Sequence, residues 1–280
     1  MKKGLYIVAT PIGNIADISE RAKELLNNAD VIACEDTRVT KKLLNLLNIS
    51  LGTKKFIPLH DHNEQEKAQE IIDMVVRDNL LVVQVSDAGS PLISDPGYKL
   101  IRQCHEQNVP FFVVPGCCAI ICALQMSGLP TNRFMFAGFI PNKDKAREDL
   151  FNELASVNTT LVFYETAPRL LKTLSVAADI FKNREFAVAR EITKLYEECR
   201  TGMPKDIISH FENNPPKGEI VFMVAPPTES NNENIDLDTL LKEKLSENPL
   251  KTVVKEIVQE YKLNKNEVYR LAIKIKDEMQ

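Results

Sequence analysis

Two short strings hold many of the residues suited to chemistry or ligand binding. Asp87-Ala88-Gly89-Ser90-Pro91-Leu92-Ile93-Ser94-Asp95-Pro96-Gly97 and Ala9-Thr10-Pro11-Ile12-Gly13-Asn14 each follow an apolar run and each open into a helical pattern. In an open parallel sheet, small molecules sit outside the carboxyl ends of the strands, where Gly and Pro fix tight turns that bring backbone groups close to a ligand. Asp87 has two available roles there, satisfying the turn's own backbone or meeting a ligand, and its small neighbours Ala88, Gly89 and Ser90 favour the ligand. Glu35-Asp36-Thr37-Arg38 also has two readings: acid–base groups at a loop end, or a helix cap with an ion pair, since side-chain oxygens ahead of a helix satisfy its free amides. Arg190-Glu191 is either chemistry or a strand-end salt bridge. His60-Asp61-His62 has metal-ligand spacing, but without a third His or Cys motif nearby it predicts a surface or substrate loop and no metal. After Pro141, the basic residues Lys143, Lys145 and Arg147 suit either phosphate contacts or the solvated start of a helix.

The elements that must position these groups alternate between strands and helices. Leu5 to Ala9, Val31 to Ala33, Phe56 to Leu59, Leu80 to Val85 and Phe111 to Val114 read as strands. Between them, Ala68, Ile71, Ile72, Val75 and Val76 fall at helical spacing, and Ser19-Glu20-Arg21 through Leu25-Leu26 shows the same stripe after polar cap residues. This alternation predicts an α/β domain over residues 1–128. Punctuation thickens at Ser127-Gly128-Leu129-Pro130-Thr131, and a second α/β domain is expected over 129–227, with strands at Phe134 to Phe139, Thr160 to Tyr164, Phe186 to Arg190 and Ile220 to Ala225. Hairpin-like spacing near Glu191 to Arg200 points to a mixed sheet there. A polar linker is expected at 228–237 and a small helical domain at 238–280. In that last piece Val253, Val254, Ile257 and Val258 form one stripe, and Val268, Leu271, Ala272 and Ile275 another. Lys262-Leu263-Asn264 separates them, with Asn264 and Glu267 at capping-box positions. The pattern fits a helix-turn-helix-like unit or an ordinary helical hairpin. Lys251, Lys255, Lys262, Lys265, Lys274 and Lys276 make it a local candidate for RNA backbone contact.

Composition narrows the class. At 280 residues, with 44% hydrophobic and 26% charged, the chain can bury a substantial core. No uninterrupted apolar stretch approaches the roughly 20 residues a bilayer requires, and Met1-Lys2-Lys3-Gly4 passes directly into a strand, so a cytoplasmic protein without membrane attachment is expected. Cys34, Cys104, Cys117, Cys118, Cys122 and Cys199 lack zinc-ribbon spacing and are expected as reduced thiols. A net charge of −4 offers no global attraction to phosphate, so any nucleic acid must be held by local basic surface.

Taken in order, these strings resemble the tetrapyrrole-methylase-like family of S-adenosylmethionine-dependent methyltransferases, and within it the bacterial small-subunit rRNA ribose 2′-O-methyltransferases. The resemblance rests on Leu5 to Asn14, Ala33-Cys34-Glu35-Asp36-Thr37-Arg38, His60-Asp61-His62-Asn63-Glu64 and Ser86 to Gly97. It continues through Val114-Pro115-Gly116, Phe136-Ala137-Gly138-Phe139-Ile140-Pro141, Phe163-Tyr164-Glu165, Ala189-Arg190-Glu191-Ile192-Thr193-Lys194 and Lys217-Gly218-Glu219-Ile220-Val221. It implies two α/β domains of the tetrapyrrole methylase type with the donor in the cleft between them, and a homodimer. Consistently, no Gly-x-Gly-x-x-Gly fingerprint opens the first helix.

By motif position, the resemblance implies that Pro11, Ile12, Asp87, Ala88, Gly89, Ser90, Pro91, Ile93, Cys118, Ala119 and Thr166 hold S-adenosylmethionine. Two departures stand out. Pro115-Gly116-Cys117-Cys118-Ala119 replaces the usual Pro-Gly-Pro-Ser-Ala, which puts a thiol where a hydroxyl is expected beside the donor. Glu165-Thr166-Ala167-Pro168-Arg169 replaces Glu-Ser-Pro-His-Arg, which removes a histidine. The implied reaction is 2′-O-methylation of a decoding-centre cytidine, cytidine 1402, of 16S rRNA in the small ribosomal subunit. The sulfonium methyl is already electrophilic, so placing the ribose oxygen in line behind it is the main task. A general base would add roughly 10²–10⁴-fold. Asp36, Glu165 and Lys194 are expected nearest the reacting ribose, with Arg38, His60, Lys143, Arg147 and Arg190 against substrate RNA. The shared fold also permits a tetrapyrrole or protein side-chain methyltransferase. A ligand sensor with a DNA-reading tail is a third, non-enzymatic reading.

Overall fold

A computed structural model describes residues 2–227, 237–261 and 265–278. Met1–Pro226 form one compact unit and Pro227–Gln280 another. The first unit contains two five-stranded sheets. In the first sheet, β1 (Gly4–Val8), β2 (Val31–Cys34), β3 (Lys55–Pro58), β4 (Leu81–Val85) and β5 (Phe111–Val114) run parallel in the order β3-β2-β4-β1-β5. Each residue of β1, β2 and β4 is buried, as expected of parallel strands covered on both faces. Alternation along β1 sends Leu5 and Ile7 into one core and Tyr6 and Val8 into another. The first core takes Ala68, Ile71, Ile72 and Val75 from α3 (Glu64–Val76) and Leu100 and Cys104 from α4 (Tyr98–Glu106). The second takes Ala22, Leu25 and Leu26 from α1 (Glu20–Asn28) and Leu44 from α2 (Thr37–Leu46).

The second sheet is mixed, in the order β6-β7-β10-β8-β9. Its strands are β6 (Phe134–Phe139), β7 (Thr160–Thr166), β8 (Phe186–Arg190), β9 (Glu198–Gly202) and β10 (Glu219–Val224). Only the β6/β7 pair is parallel. One face packs on α6 (Asp144–Leu154), α7 (Leu170–Phe181) and α8 (Pro204–Asn213) through Phe151, Phe163, Phe181, Phe211 and Phe222. The other face receives α5 (Ala119–Ser127), whose Ile120, Ala123 and Leu124 meet Val162, Ala189, Val221 and also Ile12 from the loop after β1. Residues following the first sheet therefore complete the core of the second. The expected domain boundary falls where α5 ends, at Gly128 in the left-handed conformation (φ 68°).

Local chemistry explains where the site-bearing helices begin. Ser19 Oγ accepts from Ala22 N at 3.1 Å to cap α1, and Asp36 Oδ1 accepts from Arg38 N at 2.8 Å to cap α2. The N-terminus of α4 begins at Gly97, whose φ of +133° excludes other residues, and any Cβ there would lie 2.2 Å from Gln84 Nε2. Its cap comes from elsewhere: the buried Glu64 carboxylate accepts from Gly97 N and Leu100 N, both at 3.0 Å.

The second unit comprises α9 (Leu237–Glu247), α10 (Leu250–Tyr261) and α11 (Lys265–Glu278) around Leu241, Val253, Val254, Ile257, Val268, Ala272 and Ile275. Both sequence stripes enter that core. The expected capping residue Asn264, and residues 228–236 of the expected linker, lie outside the described residues. Among the described residues no helix is long and apolar enough to cross a membrane.

Candidate active site

The loops at the carboxyl ends of β1, β4 and β5 meet the rim of the second sheet around a cavity of about 350 Å³, within the usual size range of small-molecule sites. Three links fix the loops to one another. Thr10 and Gly89 exchange backbone hydrogen bonds of 2.8 and 3.1 Å, and Ser90 Oγ donates to the Cys117 carbonyl at 3.0 Å. Asn14 N donates to Thr193 Oγ1 at 3.1 Å, which ties the first loop to the β8–β9 connection. Gln84 Nε2 anchors the long loop through the Pro96 carbonyl at 2.9 Å. Left-handed backbone at Leu92, Ser94, Glu191 and Thr193 marks both rims, the kind of strain a surrounding scaffold sustains at functional sites.

Of the residues expected to hold a donor, Ile12, Asp87, Ala88, Gly89, Ser90, Ile93, Cys118, Ala119 and Thr166 line the cavity. Pro11 and Pro91 sit in the same loops outside the lining. Cys118 is the residue preceding α5 and makes no side-chain cap, so the thiol leaves the first amides of that helix to other partners.

The three residues expected nearest a reacting group are placed differently. Asp36 lies outside the lining, paired with Arg38 at 2.6 Å, and that hydrogen bond holds its carboxyl near a pKa of about 2, poorly suited to accept a proton. Lys194 lies between Glu191 Oε1 at 3.0 Å and Glu219 Oε2 at 2.9 Å, which together outweigh its desolvation and keep it protonated. Glu219 itself lines the cavity. Glu165 lines it too, but its side chain is turned to the α7 face of β7. It accepts from Thr166 N at 2.6 Å, from Thr173 Oγ1 at 2.6 Å and from Arg169 Nη2 at 3.1 Å. Its side chain is fully enclosed, and each carboxylate oxygen is already engaged.

Among the residues expected against phosphate, Arg38, His60 and Lys143 are exposed. Arg190 is engaged by Glu198 at 2.6 Å, in a cluster that also binds Arg200 and His210 to that carboxylate. Arg147 corrects the sequence reading. It is 1% exposed and donates to Asp144 Oδ1 at 3.1 Å and to the Asn142 carbonyl at 3.3 Å, so it ties down the start of α6 and has no surface from which to meet a phosphate.

Sequence reasoning passed over several lining groups: Ser94, Asp95, Phe139, Tyr164, Ile192 and Glu219. Asp95 was in plain view in the long loop. Burial raises its carboxyl to a pKa of about 6, reinforced by Asp87 and Asp61. Desolvation and the neighbouring carboxylates also raise Glu35 and, through burial and Asp36, Asp87. Three carboxylates of the first sheet's loops thus share the cavity lining with the apolar side chains of Ile12, Ile192 and Tyr164. A ligand carrying positive charge on one part and a flat, mixed surface on another complements that lining.

Two sheets joined through α5, with a ligand-sized cleft at their rims, define a two-part α/β architecture built around a small-molecule site. The chain belongs to the Tetrapyrrole (Corrin/Porphyrin) Methylases, whose family pattern matches residues 4–207. Relatives named ribosomal RNA small subunit methyltransferase I are similar over nearly the full length. The one from Rickettsia prowazekii (strain Madrid E) is 42% identical over 279 residues, 99% of this chain and 98% of that protein. The one from Erythrobacter litoralis (strain HTCC2594) is 46% identical over 276 residues, 99% and 96% of the two chains. Solved structures share the fold at low identity. Diphthine synthase aligns with a TM-score of 0.62 at 13% identity, covering 79% of this chain and 89% of that one. A cobalt precorrin-4 methyltransferase aligns at 0.56 and 16%, covering 79% and 94%.

Proposed function

We propose that this chain is an S-adenosylmethionine-dependent methyltransferase that modifies the ribose 2′-oxygen of a decoding-centre cytidine in 16S rRNA, working as a cytoplasmic homodimer on the small ribosomal subunit. The observation that carries the reading is similarity of 42% and 46% along 99% of the chain to proteins bearing the small-subunit methyltransferase name. The lining suits the donor: Glu35, Asp87 and Asp95 would hold its positive charge, and Ile12, Ile192 and Tyr164 would offer apolar surface to its adenosine. Gly89, Ser90, Cys118 and Ala119 bring backbone to the same space. When bound, the donor supplies a methyl group made electrophilic by its sulfonium.

The chain's own residues then have mainly a positioning task, which alone can lower a barrier by roughly 7–11 kcal/mol. The hydrogen bonds between the loops preorganise the cavity, and Ile12, Ile192 and Tyr164 give it apolar wall. Asp36 and Lys194 act here as fixed charges on the rim, and Glu165 as the anchor of the strand that carries Tyr164 and Thr166.

Donor affinity should depend on pH through Asp95. The ionised carboxylate attracts a cation and the protonated form does not, so binding is at full strength above about pH 6 and weakens as pH falls through that value. Below it, Kd should rise by about tenfold per pH unit at most, the limit for one proton. Calorimetry between pH 5 and pH 8 measures this, and a flat profile would remove Asp95 from the donor site.

The reaction itself is tested by incubating the protein with radiolabelled donor and small subunits from a methylation-deficient strain. Label should be recovered in an alkali-resistant dinucleotide, because a 2′-O-methyl blocks cleavage of the adjoining phosphodiester. Label on base or protein, or none, overturns the assignment.

A further inference from the structure

We infer that Phe139 is a stacking platform for the nucleobase of the nucleotide being methylated, an inference that rests on the rRNA reading above. Its position is produced by an irregularity in β6. Phe134, Met135 and Phe136 pair in regular register with Thr160, Leu161 and Val162 of β7, but the next partner of Tyr164 is Phe139. Three residues of β6 therefore span two of β7, a bulge of one residue. Gly138, at φ +75°, provides the left-handed step. A Cβ on Gly138 would meet nothing within 4 Å, so its requirement is conformational rather than steric.

The bulge decides which way Phe139 faces. Strict alternation would place it with Ala137, which packs against the core under α6 and α7. The inserted residue instead brings it to the face of Val162 and Tyr164, with its ring 5.1 Å from that of Tyr164. Phe136 supports Tyr164 from its own position at 4.9 Å. Tyr164 is half-buried, whereas Phe139 remains 58% exposed while lining the cavity. A large apolar side chain turned away from an available core, and left open at the rim of a ligand cavity, is suited to a flat partner.

The chemistry of the acceptor names that partner. A ribose 2′-oxygen enters the cavity with its base attached one carbon away, so the base of an unstacked nucleotide would come to the rim where Phe139 stands. Proteins receive splayed bases on aromatic faces, each worth a roughly 5- to 150-fold effect on alanine substitution.

The test uses the full chain with methylation-deficient small subunits, following turnover, donor affinity by calorimetry, thermal stability and oligomeric state. Phe139→Ala should lower kcat/KM for subunits by about 10- to 100-fold, chiefly through KM, with donor affinity, melting and oligomeric state unchanged. Phe139→Trp should restore most of the loss and Phe139→Leu should not, since only the former presents a π-face. Full activity in Phe139→Leu, a parallel loss of donor affinity, or a change in oligomeric state would each overturn the stacking role, assigning the ring to general apolar contact, the donor wall or a subunit contact. Wild-type protein that leaves subunits unlabelled overturns the rRNA reading and this inference with it. Wild-type activity with indifferent Phe139 variants overturns this inference alone.

Discussion

Asp87→Arg should abolish donor binding measured by calorimetry. Asp87 follows β4 at the cavity wall, and its Oδ1 accepts from Asp36 N at 3.1 Å, which fixes the carboxylate against the start of α2. Desolvation raises its pKa, with the Asp36 backbone bond opposing the shift. An arginine here replaces the attraction with a like charge inside a cavity whose other polar wall is built for a cation. Truncating one member of a buried charge pair costs about 2–5 kcal/mol, so affinity should fall by about 30- to 4,000-fold, and the reversed charge places the loss toward the upper end. Asp87→Asn separates charge from scaffold, because its amide oxygen still accepts from Asp36 N while the charge is gone. It should weaken binding by about tenfold with an unchanged melting temperature. Undiminished affinity in a folded Asp87→Arg protein would mean that the donor sits elsewhere.

The parts of this architecture visible in the sequence are those governed by period and local stereochemistry. Phe111–Val114 and Phe186–Arg190 coincide with their predicted strands because uninterrupted apolar runs bounded by polar turns have few alternatives. In α3 the stripe of Ala68, Ile71, Ile72 and Val75 enters the core, but Val76 at the last helical position is 59% exposed. The two loops that line the cavity were legible because Gly, Pro and small polar residues cluster in them as turn signals after each apolar run.

What was not legible depends on contacts between distant segments. Glu64 reads as an ordinary acid in the first turn of α3, and nothing local says that it caps α4 instead. Arg147 looks like a surface cation until the fold encloses it. The β6 bulge moves Phe139 to the opposite face from the one that alternation assigns. Tyr164 and Glu165 show the limit most directly. The string Phe163-Tyr164-Glu165 draws attention to its acid, yet strand alternation puts adjacent residues on opposite faces, and Tyr164 offers its ring to the cavity while the Glu165 carboxylate is held behind it.

That division gives the expected result for Glu165. Removing its carboxylate in Glu165→Ala leaves Thr166 N and Thr173 Oγ1 without their acceptor, and leaves Arg169 with Asn142 Oδ1 and the Ile140 carbonyl but no counter-charge. Breaking a buried pair on one side costs about 3–5 kcal/mol. At about 2–4 °C per kcal/mol for a unit of this size, the melting temperature should fall by roughly 6–20 °C. Arg169 also reaches the β6–α6 connection, so its release should loosen the segment next to Phe139 and lower activity indirectly. Glu165→Gln distinguishes anchoring from proton transfer. The amide oxygen can still accept from Thr166 N in nearly the same volume, so an anchoring residue should retain most of kcat while losing about 1–3 kcal/mol through the weakened Arg169 and Thr173 contacts. A general base cannot be replaced in that way, and its loss would lower kcat by roughly 10²–10⁴-fold at unchanged stability. A stable but inactive Glu165→Gln protein would return this carboxylate to the chemistry, and would require its side chain to turn from α7 toward the cavity during turnover.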